Sequence, residues 1–211
     1  MKIILASKSP RRKEILENLG VEFEIIVSEA DESSDEKNPE RLVRELSLRK
    51  GRAVAERLVS EGLFYRDDEV YVISSDTVVA TKGEEGRILG KPFDLEDAEK
   101  MLSMLEGKVH FVHSGIAIIK ISRNGELCEA ADTESTAVEF LPMTDDEIKL
   151  YVKNENVLDK AGAYAIQGIA SAWIKKIDGD YFNVVGLPTC RMISLFKEAF
   201  GVQPKDIICK K

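Results

Sequence analysis

Residues 5–16, LASKSPRRKEIL, place three cations where a helix would repel them. The apolar run Ile3-Ile4-Leu5-Ala6 reads as a first strand. Ser9 is placed to cap the helix that follows, Pro10 suits its first position, and Ile15, Leu16 and Leu19 recur at helical spacing before Gly20 stops it. Yet the first turn carries Arg11, Arg12 and Lys13. The helix dipole already presents about half a positive charge there, and each exposed cation costs roughly 0.3–1 kcal/mol. Two readings stay open on pattern alone. The arginines form a solvated basic face, or they join the helix N-terminus and the hydroxyls of Ser7 and Ser9 in awaiting an oligophosphate, which guanidinium binds bidentately.

Further candidates break structural rules in the same way. Lys50 falls on the stripe of Val43, Leu46 and Val54, the buried face of a helix expected from about Pro39 to Ser60. Its long side chain either snorkels out to water or points its ammonium inward toward a phosphate. Asp76 follows VYVIS, a strand expected to be buried on both faces, and ligands of open α/β sheets gather at the carboxyl ends of strands. A carboxylate there binds a divalent cation or takes a proton from water; alternatively it caps a turn, SDT being good turn chemistry. Should the first and third strands run parallel, Asp76 and the Arg11-Arg12 pair would face one crevice. Lys91 in GKP and Lys160 in LDKAGAY, taken alone, are solvated loop cations. The Asp31-Glu32 pair lies in an acidic loop and taken alone faces solvent. His110 and His113 cannot share a metal ion from a strand, because residues i and i+3 point to opposite faces.

Strand and helix signals alternate along the whole chain, so the expected class is α/β. Strands are expected at FEIIV (23–27), EVYVISSDTVVA (69–80, interrupted by Ser74-Ser75-Asp76), 109–121, 126–141 and AWIKKI (172–177). The Asn-Gly of RNG marks a hairpin between the two long ones. The acidic loop 28–40 ends at Asn38-Pro39, opening the helix with Val43, Leu46, Ala53, Val54 and Leu58 as its core stripe. TKGEEGRILGKP (81–92) has the content of a hairpin or flap, and Asp94 caps a helix to about Leu105. TDDE (144–147) is a capping box for a helix carrying Ile148, Tyr151 and Val152. Residues 154–170, rich in small side chains, look like a site loop, and NVVGLP (183–188) leads into a last helix ending near Phe200. No internal repeat or low-complexity segment is visible.

Composition excludes several function classes. The net charge of −8 disfavours nonspecific binding to nucleic acid or to an anionic membrane, both of which need a basic face. No apolar run is long enough to cross a bilayer. The N-terminus lacks the pattern of a signal peptide, and three cysteines without CxxC spacing suggest neither a disulfide framework nor a zinc knuckle. The expectation is a cytoplasmic protein whose local cationic cluster serves one small anion.

The combination is more specific than its parts. SKSPRR at the N-terminus, DE at 31–32, SLRK at 47–50, SDTVV at 75–79, LGKP at 89–92, DKAGAYAIQG at 159–168 and NVVGLP at 183–188 resemble, in order and spacing, the Maf family of nucleotide pyrophosphatases. The resemblance covers essentially the whole chain. It implies one domain over residues 1–211, with a mixed twisted sheet, flanking helices and two lobes around a central cleft, akin to the inosine triphosphate pyrophosphatases. It implies metal-dependent hydrolysis of a nucleoside triphosphate to monophosphate and pyrophosphate, with Mg2+ or Mn2+, in a homodimer. By the same resemblance Ser7, Arg11, Arg12, Lys50 and Lys91 clamp phosphates, Asp76 readies the attacking water or holds the metal, and Glu32 is a second carboxylate toward that metal. AYAIQG is similar to the branch acting on dTTP and UTP, where Gln167 reads the base: its amide donates and accepts, matching a pyrimidine edge with one N–H between two carbonyls. A different base, such as that of 7-methyl-GTP, and a non-catalytic regulator of cell division remain the alternatives. The departures are Lys8 where the family usually has a small residue, Ser75 where Ala is common, and Ser114 where Thr is frequent. None removes a side chain the chemistry needs.

Overall fold

A computed structural model describes residues 1–63, 68–83 and 86–208. Among them the strands are β1 (Lys2–Leu5), β2 (Glu24–Ile25), β3 (Val70–Thr81), β4 (Ile88–Leu89), β5 (Val109–Ile121), β6 (Leu127–Phe140) and β7 (Ile174–Asp178). The helices are α1 (Pro10–Asn18), α2 (Pro39–Ser60), α3 (Leu95–Leu105), α4 (Asp145–Asn154), α5 (Tyr181–Val185), α6 (Thr189–Phe200) and α7 (Pro204–Ile207). The strands form a seven-stranded mixed sheet in the order β2-β1-β3-β5-β6-β7, with β4 added to β3. β1 pairs parallel with both β2 and β3, while β4 and β7 pair antiparallel with β3 and β6.

Two compact units share the long strands. The first holds Met1–Asp76, Ser114–Glu134 and Gly186–Lys211, and the second Thr77–His113 and Ser135–Val185. Each has its own apolar core. In the first, Val54, Ala55 and Leu58 of α2 pack with Ile4, Val70, Val72, Ile119 and Ile121. In the second, Ala98, Met101, Leu102 and Leu105 of α3 and Ile148, Tyr151 and Val152 of α4 pack with Val112, Val138 and Phe140.

Local signals explain most boundaries. Asn38 accepts from Arg41 N and Asp94 from Asp97 N, capping α2 and α3, while Thr144 and Glu147 form the expected capping box of α4. Five expectations need correction. The second strand keeps only Glu24–Ile25, because β1 offers partners only at Ile4 and Leu5. β3 runs unbroken through its polar triplet, because each polar side chain there has a partner: Ser47 O for Ser74, Gly186 O for Ser75 and Lys50 for Asp76. In α2 Ala55 is buried where Ala53 was expected. The seventh strand starts at Ile174, because Ile169–Ala172 coil into a 3-10 turn. Residues 181–185, partly within NVVGLP, form the short helix α5, which ends at Gly186 with φ 123°. The hairpin expected at 81–92 pairs Val79 with Leu89 and Ala80 with Ile88, while residues 84–85 at its turn lie outside the described ones. Cys128 and Cys190 are exposed free thiols, and Cys209 lies outside the described residues.

Glycines let α2 come close to the strands beneath it. A Cβ on Gly51 would stand 2.7 Å from Ser74 Oγ, and one on Gly115 of β5 would stand 2.0 Å from the Val43 carbonyl oxygen. The second clash is with backbone, so helix and strand would have to part. Gly115→Ala is expected to destabilise the protein by about 1–3 kcal/mol, seen as a lower urea midpoint. Gly90→Ala, whose Cβ meets nothing within 4 Å, should leave the midpoint unchanged.

Candidate functional site

The first unit gathers most of the candidate residues around the end of β1. Leu5 pairs with Ile73 and Ala6 N donates to Ile73 O at 2.8 Å, so the chain leaves β1 beside the stretch of β3 that carries Asp76. Asp76 therefore lies within a strand and is neither the strand's last residue nor part of a turn. The shorter parallel neighbour is the one that ends there. This geometry brings the start of α1 toward Asp76, as the parallel arrangement requires.

No acidic residue stands in the first turn of α1, and Ser9, despite its capping position, makes no side-chain cap bond. Ser7 takes the local role instead. Its buried Oγ accepts from Ser9 N at 3.1 Å and from Arg12 Nη1 at 3.2 Å. Arg12 Nε donates to Gly186 O at 2.8 Å, so two bonds fix the plane of the guanidinium. Burial lowers the Arg12 pKa from its usual value. The charge of Asp76 raises it, Arg11 lowers it further, and Glu32 raises it. Arg11, Arg12, Glu32 and Asp76 thus act in one electrostatic neighbourhood.

Lys50 is turned inward, and its partners in this structure are carboxylates. Its Nζ stands 2.6 Å from Asp76 Oδ1 and 2.8 Å from Glu32 Oε2. The Lys50 and Asp76 side chains are each only 12% exposed, whereas that of Glu32 is 56% exposed. Arg49, the residue before Lys50, donates through Nη1 to the carbonyls of Asp31 and Ser33 at 2.8 and 2.7 Å. Successive residues of α2 therefore hold the backbone on either side of Glu32 and its carboxylate. The acidic loop is docked at this point, although the Asp31 carboxylate itself bonds Ser33 N and Oγ, which lowers its pKa.

Lys91 and Gln167 belong to the second unit. Both are exposed, and their loops are joined where Gly162 N donates to Gly90 O at 3.0 Å. Gly162 has φ 65°, and a Cβ there would meet Val79 Cγ2 at 2.8 Å, so the loop lies directly on β3. Gln167 precedes Gly168, which has φ 94°. Lys160 is buried, not solvated: its Nζ bonds Asp159 Oδ1 at 2.8 Å and also the Asn156 carbonyl, closing its own loop.

Sequence reasoning missed Arg49, Ser75 and the Gly186 carbonyl. The only local signals were the Gly of NVVGLP, the extra arginine beside Lys50 and a polar triplet in an apolar strand. The exclusion of a His110–His113 metal pair stands on geometry. His110 Nε2 meets Tyr164 OH at 2.8 Å, while His113 Nδ1 meets Ser135 Oγ at 2.7 Å. Among the described residues no group of three or more His, Cys, Asp or Glu converges, and no helix is long and apolar enough to cross a membrane.

A family model described as "Maf-like protein" matches residues 2–199. The chain is similar to a protein named dTTP/UTP pyrophosphatase of Caldanaerobacter subterraneus subsp. tengcongensis, 44% identical over 203 residues, covering 96% of this chain and 91% of the relative. Another dTTP/UTP pyrophosphatase, of Agathobacter rectalis, is 43% identical over 194 residues, covering 90% of this chain and 93% of the relative. Among solved structures, the Ham1 protein of Staphylococcus aureus aligns with TM-score 0.39 and 16% identity, over 66% of this chain and 72% of that one.

The buried histidine gives a pH prediction. Burial lowers His110 to about 4, against about 6.5 in an unfolded chain. The unfolded state therefore binds the extra proton first. Stability present above about pH 6.5 is lost as pH falls toward 4, by as much as about 3 kcal/mol. Urea unfolding between pH 7 and pH 4 should show this decline, and NMR titration should keep His110 neutral until about pH 4.

Proposed function

The chain belongs to the Maf family, and on that premise we propose that it hydrolyses dTTP and UTP to the monophosphate and pyrophosphate. The observation that carries the reading is the Lys50 ammonium between Glu32 and Asp76, in the electrostatic neighbourhood of Arg12. A simple anion-binding site has no use for a buried carboxylate beside its cations. Hydrolysis has, because an attacking water needs a proton acceptor next to the phosphate that it attacks. The names borne by relatives at 43–44% identity support the choice of nucleotide.

In this reading Ser7, Arg11 and Arg12 meet the oligophosphate at the start of α1, where guanidinium forks and helix dipole act together. Lys50 lies ready to turn from its carboxylates to a phosphate oxygen, and Lys91 adds a further cation. The water oxygen bonds to the α-phosphorus, the bond from that phosphorus to the α–β bridging oxygen breaks, and pyrophosphate leaves. Asp76 takes the proton of the water and passes it to solvent. Gln167 reads the base through its amide.

The donor set fits a divalent cation such as Mg2+ or Mn2+. Glu32 and Asp76 present hard oxygens to one cationic atom, and Mg2+ is commonly held by one or two carboxylates plus substrate phosphates. When bound, such an ion would neutralise phosphate charge and stabilise the leaving pyrophosphate. Asp76 serves as proton acceptor and as ligand without contradiction, having two oxygens. The reading further takes in one domain of two lobes, a homodimer and a cytoplasmic setting, with a small nucleotide as partner.

The test is the identity of the products. Wild-type protein incubated with dTTP or UTP should release monophosphate and pyrophosphate in equal amounts, and faster than from 7-methyl-GTP. Asp76→Asn should lower turnover at least about 100-fold, equivalent to about 2.7 kcal/mol, while still binding nucleotide. Release of diphosphate and orthophosphate, or full activity in Asp76→Asn, would refute the proposal.

A further inference from the structure

Ser75 stands between Ser74 and Asp76 on β3, and alternation along a strand turns its side chain to the opposite face from theirs. Ser74 bonds Ser47 O and Asp76 bonds Lys50, so both lean toward α2. Ser75 is fully buried, and its Oγ donates to the Gly186 carbonyl oxygen at 3.1 Å. That same oxygen accepts Arg12 Nε at 2.8 Å. A carbonyl oxygen has two lone pairs, so these two donors fill it. The Gly186 backbone, at φ 123°, lies where side-chain-bearing residues rarely go, and its direction needs outside support.

Resting on the reading of Arg12 as phosphate clamp and Asp76 as water activator, we propose that Ser75 is a positioning residue for both. Through the Gly186 oxygen it ties the strand that carries Asp76 to the guanidinium of Arg12. β3 is thereby pinned from both faces at the residue that must be aimed. The stem of Arg12 has several rotatable bonds, so the bond from Nε to the Gly186 oxygen adds to that from Nη1 to Ser7 in setting where the guanidinium lies. With the Gly186 oxygen fixed from behind by Ser75, Nε has a fixed acceptor that helps set both the guanidinium's position and its tilt. Deleting the Ser75 hydroxyl removes one of these donors from Gly186 O and loosens the peptide. The effect falls on the rate with bound substrate more than on folding, because small misplacements of a clamp are costly to catalysis.

A double-mutant cycle on pyrophosphate release tests the link. Ser75→Ala is expected to lower kcat/KM roughly 5- to 20-fold with the melting temperature little changed, and Ser75→Thr, which keeps the hydroxyl, should recover most of it. In an Arg12→Lys background, which lacks the Nε donor, Ser75→Ala should cost less than about 2-fold. An equal fold-loss in both backgrounds would overturn the proposal, because a merely structural role multiplies through. Should Ser75→Ala not fold, Ser75→Cys carries the same cycle. Hydrogen exchange of the Arg12 Nε–H without nucleotide is read separately by NMR. It should be slow in the wild type and faster in Ser75→Ala, and an unchanged rate would also overturn the link. Were the wild type inactive on every nucleotide, the function would fall while the exchange rate still decided the clamp.

Discussion

A mostly buried charge needs a partner of opposite sign, and Lys50 is that partner for Asp76, 2.6 Å away. Removing one member of such a pair leaves an uncompensated charge, which costs far more than the pair itself contributes. Much of the first unit follows from delivering that ammonium. Lys50 sits on the inner face of α2, so α2 must lie close on β3 and β5, and Gly51 and Gly115 make the approach possible. The bond from Ser74 to Ser47 O then fixes the register of helix on strand two residues before Asp76. Arg49, next to Lys50, draws in the loop that brings Glu32 to the same ammonium.

Positive charge at the start of α1 is the opposing half of the arrangement. Arginines there work against the helix dipole, and no acidic residue in the first turn relieves them. Burial lowers the Arg12 pKa further, and Asp76 and Glu32 offset part of that. Cations and carboxylates are therefore mutually dependent here. Under the proposed function, an entering oligophosphate would exchange partners with both sets, drawing Lys50 from its carboxylates. Strain of this kind is characteristic of functional sites, where one local preference is sacrificed for chemistry.

What could be read from the sequence divides by range. The bounds of α2, the Asp94 cap and the Thr144–Glu147 box were legible because their causes lie within a few residues. The inward face of Lys50 was legible from helical period alone. Its actual partners were not, because Asp76 is 26 residues away and Glu32 sits in a loop without period. The Gly186 carbonyl was less legible still. It meets Arg12 across 174 residues through a backbone oxygen, for which no side-chain pattern exists. The continuity of β3 failed for the same reason: a polar triplet looks like a break until distant partners satisfy each side chain. Lys160 looked solvated because a Gly-rich loop suggests exposure, yet its own loop closes around it.

Under the proposed function, the cluster at the end of β1 holds a polyanion. Calorimetric titration with a non-hydrolysable α,β-methylene analogue of UTP, beside uridine, tests it most directly. The analogue should bind, its affinity should fall steeply as salt is raised, and uridine alone should bind far more weakly. Equal binding of uridine, or an affinity indifferent to salt, would contradict it.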